Sequence, residues 1–281
     1  MKIGIRAHDV GKDKADLLFK KIKSLGFDYI QLVFKKALVD DEYNPLDFNE
    51  NNILDIAKAL KDHSLFVAML GAYFNPVHSN KDLVKKNIIY FKKHLELGHL
   101  LNCKYVGTET GSYNDDKWTY NPKNRTKEGY NETLSIFKEL VKSAEKNNAT
   151  ILMEPAYGHV IYDVDTLIKA VNEINSPNLK VTIDIYNLLC FENYRNYKDI
   201  FISALSYFKE DVKIIHLKDF YPLEDTLKQC GIGKGIIDFD FIISIVKKYA
   251  PEAILIFEGV QGEDIPYGLE IISALVRKYR D

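Results

Sequence analysis

The chain has 281 residues, 46% of them hydrophobic and 28% charged, with a net charge of −2. This is a globular composition with enough apolar side chains for a large core. The charge balance offers no general attraction to nucleic acid or an anionic membrane, no apolar run approaches the ~20 residues of a membrane span, and the three cysteines, Cys103, Cys190 and Cys230, have no metal or disulfide spacing.

Short β-branched runs alternate with longer amphipathic ones from end to end. Strands are predicted at residues 2–7, 29–34, 66–70, 104–108, 150–153, 180–183, 212–217 and 253–257. Helices are predicted between them, at 13–25, 49–63, 82–101, 126–146, 164–174, 195–208, 239–249 and 264–279. The first places Leu17, Leu18, Ile22 and Leu25 at helical spacing and stops at Gly26. The N-terminus enters a strand with no signal-peptide hydrophobic region, so the expected location is cytoplasmic. Regular alternation implies a parallel sheet with helices outside, and eight units imply closure into a single (β/α)8 TIM barrel over residues 1–281. A doubly wound open sheet would carry a glycine-rich turn after the first strand, where this chain reads Arg6 to Gly11.

Four polar residues stand at the ends of apolar runs in the C-terminal half: Glu154, Asp184, His216 and Glu258. An ionisable group at the end of a buried strand is expensive to desolvate alone. In a parallel barrel, strand C-termini build the active site. Any one of these residues is equally well a helix cap or a satisfied core group. Together, three carboxylates and an imidazole converging on one point call for a cation. Oxygen-rich ligation with one imidazole suits one divalent ion, Mn2+, Mg2+, Co2+ or catalytic Zn2+. Glu154 and Glu258 facing each other across it form a pair able to move a proton on and off carbon.

These residues sit in motifs at 153–155, 183–187, 215–219, 231–238 and 256–259 that resemble the xylose isomerase-like TIM barrels. That superfamily includes sugar isomerases, ketose epimerases, inosose dehydratase-like proteins and TIM-barrel apurinic endonucleases. The resemblance spans essentially the whole chain. It implies that Glu154, Asp184, His216 and Glu258 are the metal ligands and that Glu154 and Glu258 are the catalytic pair. Two positions depart from the pattern. Asn187 stands where many relatives carry a histidine, and Asn exchanges no proton near neutral pH. Lys218 lies where ketose epimerases place an arginine nearby, and it offers a point charge instead of a fork. The resemblance thus implies an isomerase or epimerase of a small sugar or polyol, with a keto-polyol dehydratase as the alternative and a non-catalytic sugar-binding barrel as a further one. The nuclease branch needs an Asp-x-His pair after the seventh strand, where the chain reads Gly231 to Gly235, and a histidine where strand four ends in Glu109.

Glu109, His159, Tyr73, His78 and His8 fall at or just after strand ends and are candidates for a polyol pocket, as are Asn187 and Lys218. The long polar stretch 111–125 carries Trp118, the single tryptophan, and is expected to act as a lid that stacks it on a sugar. The 231–235 glycines read more readily as a turn than as a phosphate cradle. The expected partner is a small carbohydrate, with no nucleic acid or membrane, and a homo-oligomer is compatible with the sequence.

Overall fold

The computed structural model describes residues 1–39 and 50–280. Eight parallel strands close into a barrel: β1 (Lys2–Arg6), β2 (Tyr29–Leu32), β3 (Phe66–Gly71), β4 (Tyr105–Glu109), β5 (Thr150–Glu154), β6 (Leu179–Asp184), β7 (Val212–Leu217) and β10 (Ile254–Phe257). Chain order and spatial order agree around the ring, and β10 closes it against β1. Helices α2 (Ala15–Ser24), α4 (Glu50–Asp62), α5 (Lys81–Leu97), α6 (Lys127–Lys146), α7 (Val164–Ile174), α8 (Tyr197–Phe208), α9 (Phe239–Tyr249) and α10 (Asp264–Lys278) follow the strands. Two short helices, α1 (Ala7–Val10) and α3 (Phe34–Ala37), and an antiparallel hairpin, β8 (Asp219–Leu223) with β9 (Thr226–Cys230), decorate the C-terminal ends of β1, β2 and β7. The sequence reading anticipated none of these three, because each is too short to show a period. The helix expected over 82–101 ends earlier, at Leu97, and passes into a 3-10 turn closed by Asn102 at φ 52°. The expected start of the next-to-first helix at Asn49 lies outside the described residues. Among the described residues no helix is long and apolar enough to cross a membrane.

The period-two alternation of a strand explains how polar residues reach the barrel axis. Ile151 and Met153, Val181 and Ile183, Ile215 and Leu217, and Leu255 and Phe257 point outward into the main core against the helices. The alternate residues point inward. Met69, Leu152, Ile214 and Ile256 form an apolar plug inside the barrel. Gly107 has no side chain because a Cβ there would overlap the Met69 thioether. One step of two residues above the plug comes Glu154 after Leu152, His216 after Ile214 and Glu258 after Ile256. A buried residue of β6, Thr182, stands in the same relation to Asp184.

Candidate metal centre

Adjacent strands bring the four residues to one level. Asp184 and His216 are direct register partners across β6 and β7, and Glu258 follows the Phe257–Leu217 pair. All four side chains are buried, and one ligand atom of each lies within 4.8 Å of those of the others. His216 Nδ1 is 2.9 Å from Glu258 Oε2, 3.2 Å from Glu154 Oε1 and 3.8 Å from Asp184 Oδ2. That spacing fits donor atoms surrounding one ion at the ~2.0–2.2 Å typical of nitrogen and carboxylate ligands. Asp184 Oδ2 is paired with the Lys218 ammonium at 2.8 Å. A buried, oxygen-rich set of donors with one imidazole is suited to a divalent cation.

The surrounding network orients these four side chains. His216 Nε2 donates to Gln31 Oε1 at 2.7 Å, which leaves Nδ1 toward the carboxylates. Gln31 Nε2 in turn donates to the Tyr73 hydroxyl at 2.9 Å, and Tyr73 donates to Glu154 Oε2 at 3.2 Å. A chain of hydrogen bonds thus runs from His216 to Glu154. Lys218 Nζ lies 2.9 Å from Glu258 Oε1 and donates to Asn187 Oδ1 at 3.1 Å. Asn187 Nδ2 donates to Glu154 Oε1 at 2.9 Å, and its backbone N–H donates to Asp184 Oδ1 at 3.2 Å. Arg6 donates to Glu258 Oε1 at 2.8 Å and is itself clamped by Asp9 at 2.8 Å.

The charges follow from this packing. Burial opposes a charge on His216, but Glu258 and Glu154 outweigh it and raise the imidazole to about 10. Burial also opposes ionisation of Glu258, but Lys218, His216 and Arg6 hold its carboxyl well below the usual range. Glu109 is different: burial and then the neighbouring Glu154 push it well above the usual carboxylate range.

Two cavities open on this end of the barrel. The first, about 390 Å³, is lined by Arg6, His8, Val33, Lys36, Tyr73, Glu109, Trp118, Glu154 and Glu258. The second, about 480 Å³, lies beyond Glu109 and Trp118, which line both, and includes Asn187 and His159. The structure therefore brings Glu154, Asp184, His216, Glu258, Asn187 and Lys218 into one cluster, with Glu109 beside Glu154 in register. His159 and Trp118 stand farther out, their rings 5.4 Å apart. His8 and Tyr73 line the first cavity. His78 instead faces Asp115 and Asp116 at 3.7 and 3.4 Å. Sequence reasoning missed Gln31 and Arg6. Their signal was an amide inside an apolar strand and a cation at the end of another.

The 111–125 loop is fastened at both ends. Asn75 Nδ2 donates to the carbonyls of Ser112 and Asp115 at 2.6 and 2.9 Å. Asn124 Nδ2 donates to Gly158 O at 2.6 Å, and Arg125 donates to the carbonyls of His159 and Tyr157 at 2.6 and 2.5 Å. The 231–235 turn is also filled from within. The Asp219 carboxylate accepts from the backbone N–H of Phe220, Gly233, Gly235 and Ile237 at 2.8–3.1 Å. The nest that could cradle a phosphate holds the chain's own anion.

The sequence profile of the family described as xylose isomerase-like TIM barrel matches residues 19–275. A Haemophilus influenzae protein provisionally named L-ribulose-5-phosphate 3-epimerase is 22% identical over 260 residues, covering 90% of this chain and 86% of that protein. Among solved structures, a D-tagatose 3-epimerase-like protein superimposes with a TM-score of 0.78 at 19% identity, covering 100% of this chain and 98% of its own. A xylose isomerase-like barrel from Mycobacterium smegmatis in complex with magnesium gives 0.75 at 13% identity, covering 98% and 99%. The chain belongs to the xylose isomerase-like TIM barrel family.

Proposed function

We propose that the protein is a divalent-metal-dependent isomerase or epimerase of a small sugar, polyol or sugar derivative. The observation that carries this reading is the buried convergence of three carboxylates and one imidazole within 4.8 Å at a cavity wall. The names of the Haemophilus relative and the tagatose epimerase-like neighbour support the same reaction class. Glu154, Asp184, His216 and Glu258 hold the ion, and Mn2+, Mg2+, Co2+ and Zn2+ all suit such a donor set. When bound, the ion polarises a substrate carbonyl or hydroxyl and stabilises enediolate charge.

The chain's own residues supply the rest. Glu154 and Glu258 flank His216 from β5 and from the end of β10, so each reaches a different side of a sugar laid over the cluster. One carboxylate takes a proton from carbon and the other returns one. Asn187 holds Glu154 and Lys218 holds Glu258, which fixes both for transfer. Glu109, beside Glu154 and lining both cavities, is placed to hydrogen-bond a substrate hydroxyl. Trp118 covers the apolar face of the sugar and excludes water. We read the chain as one domain, cytoplasmic, acting on a carbohydrate and not on nucleic acid or membrane.

Elemental analysis of the purified protein, followed by solvent-deuterium exchange into a panel of ketoses and inososes, tests this. One metal per chain and deuterium on the carbon beside the carbonyl are expected. Exchange with loss of the β-hydroxyl would move the protein to the dehydratases. Absence of metal and of exchange across the panel would leave a sugar-binding barrel, and three metals per chain would point to the nuclease branch.

A further inference from the structure

The first cavity, about 390 Å³, already lies in the range of a small-ligand site. A single sugar over the metal cluster leaves the second, about 480 Å³, unexplained. Among the described residues, the lining of this second cavity contains no lysine or arginine. Its walls are aromatic, with Trp118, Tyr157, Tyr186 and Phe191 contributed by three separate loops. Phe191 is 36% exposed at its rim. Such surfaces are held open to solvent at a desolvation disadvantage unless something flat and partly apolar covers them. A sugar ring has that character, since its C–H face stacks on an aromatic ring while its edges carry hydroxyls.

The polar groups point the same way. His159 lines this cavity, is 3% exposed, and its Nδ1 has no hydrogen-bond partner. Burial lowers the imidazole to about 4, so the ring that lines this space is uncharged at neutral pH. Asn187 lines the cavity while contacting Glu154, so it connects the second space to the reacting centre. The cations nearest this space are already engaged: Arg125, 5.2 and 5.4 Å from the Tyr120 and Tyr157 rings, donates to the carbonyls of Tyr157 and His159, Lys218 pairs with Asp184 and Glu258, and the 231–235 nest is filled by Asp219.

We infer that the substrate is a glycoside, with the reacting sugar in the first cavity and a second, uncharged sugar ring in the second, stacked between Trp118, Tyr157 and Phe191. This rests on the isomerase reading for the first cavity and adds the substrate's size and charge. Isothermal titration calorimetry on the full chain in manganese-containing buffer tests it, with D-fructose against the disaccharide ketoses palatinose, turanose and lactulose. At least one disaccharide binds about tenfold tighter than fructose, a difference of the size aromatic stacking provides. Phe191→Ala and Tyr157→Ala bring that affinity ratio toward one. Equal affinities in the unaltered protein, no disaccharide binding, or a ratio indifferent to both substitutions overturns the proposal. Deuterium exchange on the same probes separates the two readings. Exchange into fructose with no preference for the longer sugars removes only the second subsite, and tight disaccharide binding without exchange removes only the isomerase.

Discussion

His216 Nε2 sits 2.7 Å from Gln31 Oε1, and both side chains are buried inside the barrel. An imidazole has two nitrogens, and the partner of one decides the role of the other. By accepting from Nε2–H, Gln31 leaves Nδ1 as the nitrogen facing Glu154, Asp184 and Glu258. Gln31→Leu keeps the volume and removes the acceptor. Metal affinity is expected to fall by about 10–100-fold, the usual effect of losing such a supporting group. Competition against a chelating dye measures it, and unchanged affinity would show that metal binding does not depend on Gln31 orienting His216.

Glu154→Gln and Glu258→Gln retain the side-chain shape and one ligand oxygen while removing the base. Each is expected to lower deuterium exchange by roughly 10²–10⁴-fold, with metal partly retained. Near-normal exchange in either variant removes that residue from the proton-transfer pair.

Asp219 organises the turn between the β8–β9 hairpin and α9 by accepting from four backbone N–H groups. Asp219→Ala leaves those donors buried or newly hydrated, and should destabilise the fold by about 3 kcal/mol or more. Gly235→Ala should act through the same contact, because a Cβ there overlaps the Asp219 carboxylate and the Phe220 carbonyl. Urea unfolding midpoints report both, and a shift below about 0.5 kcal/mol would mean that the turn tolerates an empty nest.

His94 on α5 is 1% exposed and packs between Tyr90 and Phe34, with Nδ1 bonded to the Tyr90 carbonyl at 2.9 Å. Burial lowers it from 6.5 to about 4. The unfolded chain takes up this proton near pH 6.5 and the native protein does so only near 4. The contribution to stability is therefore complete above pH 6.5 and is lost as pH falls toward 4. The shift corresponds to about 3 kcal/mol. His94→Gln should flatten that part of the stability–pH curve relative to the unaltered protein, and parallel curves would rule out His94 as a source.

Arg125 donates to the carbonyls of Tyr157 and His159 and lies 3.5 Å over the Tyr162 ring. It locks the 111–125 loop against the cavity wall. Arg125→Ala removes two charge-assisted bonds, about 1–3 kcal/mol of local stability after water replaces part of them. Trp118 emission should shift to the red and protease should cut within 111–125. An unchanged spectrum and digestion pattern would show that Asn75 and Asn124 suffice.

The alternation of β-branched and amphipathic runs was enough to place eight strands and most helices, because burial on one side of each element leaves a period that can be read along the chain. The metal-cluster candidates Glu154, Asp184, His216 and Glu258 were legible for the same reason: an ionisable residue ending an apolar run is conspicuous, and the barrel rule says where such ends meet. Their distances were not legible, nor was the inward step of two residues that lifts each above the apolar plug. Gln31 and Arg6 come from the first two strands and meet residues 185 and 252 positions away. No local period marks such pairs. The same holds for Asp219 in the glycine turn, since four backbone donors converge on it only after the hairpin has folded back. The second cavity likewise exists only in three dimensions, where loops following different strands set their aromatic side chains around one space. Sequence determined which residues are polar and buried, because that depends on each element's own pattern. Tertiary structure decided which of them touch, because that depends on closure of the barrel.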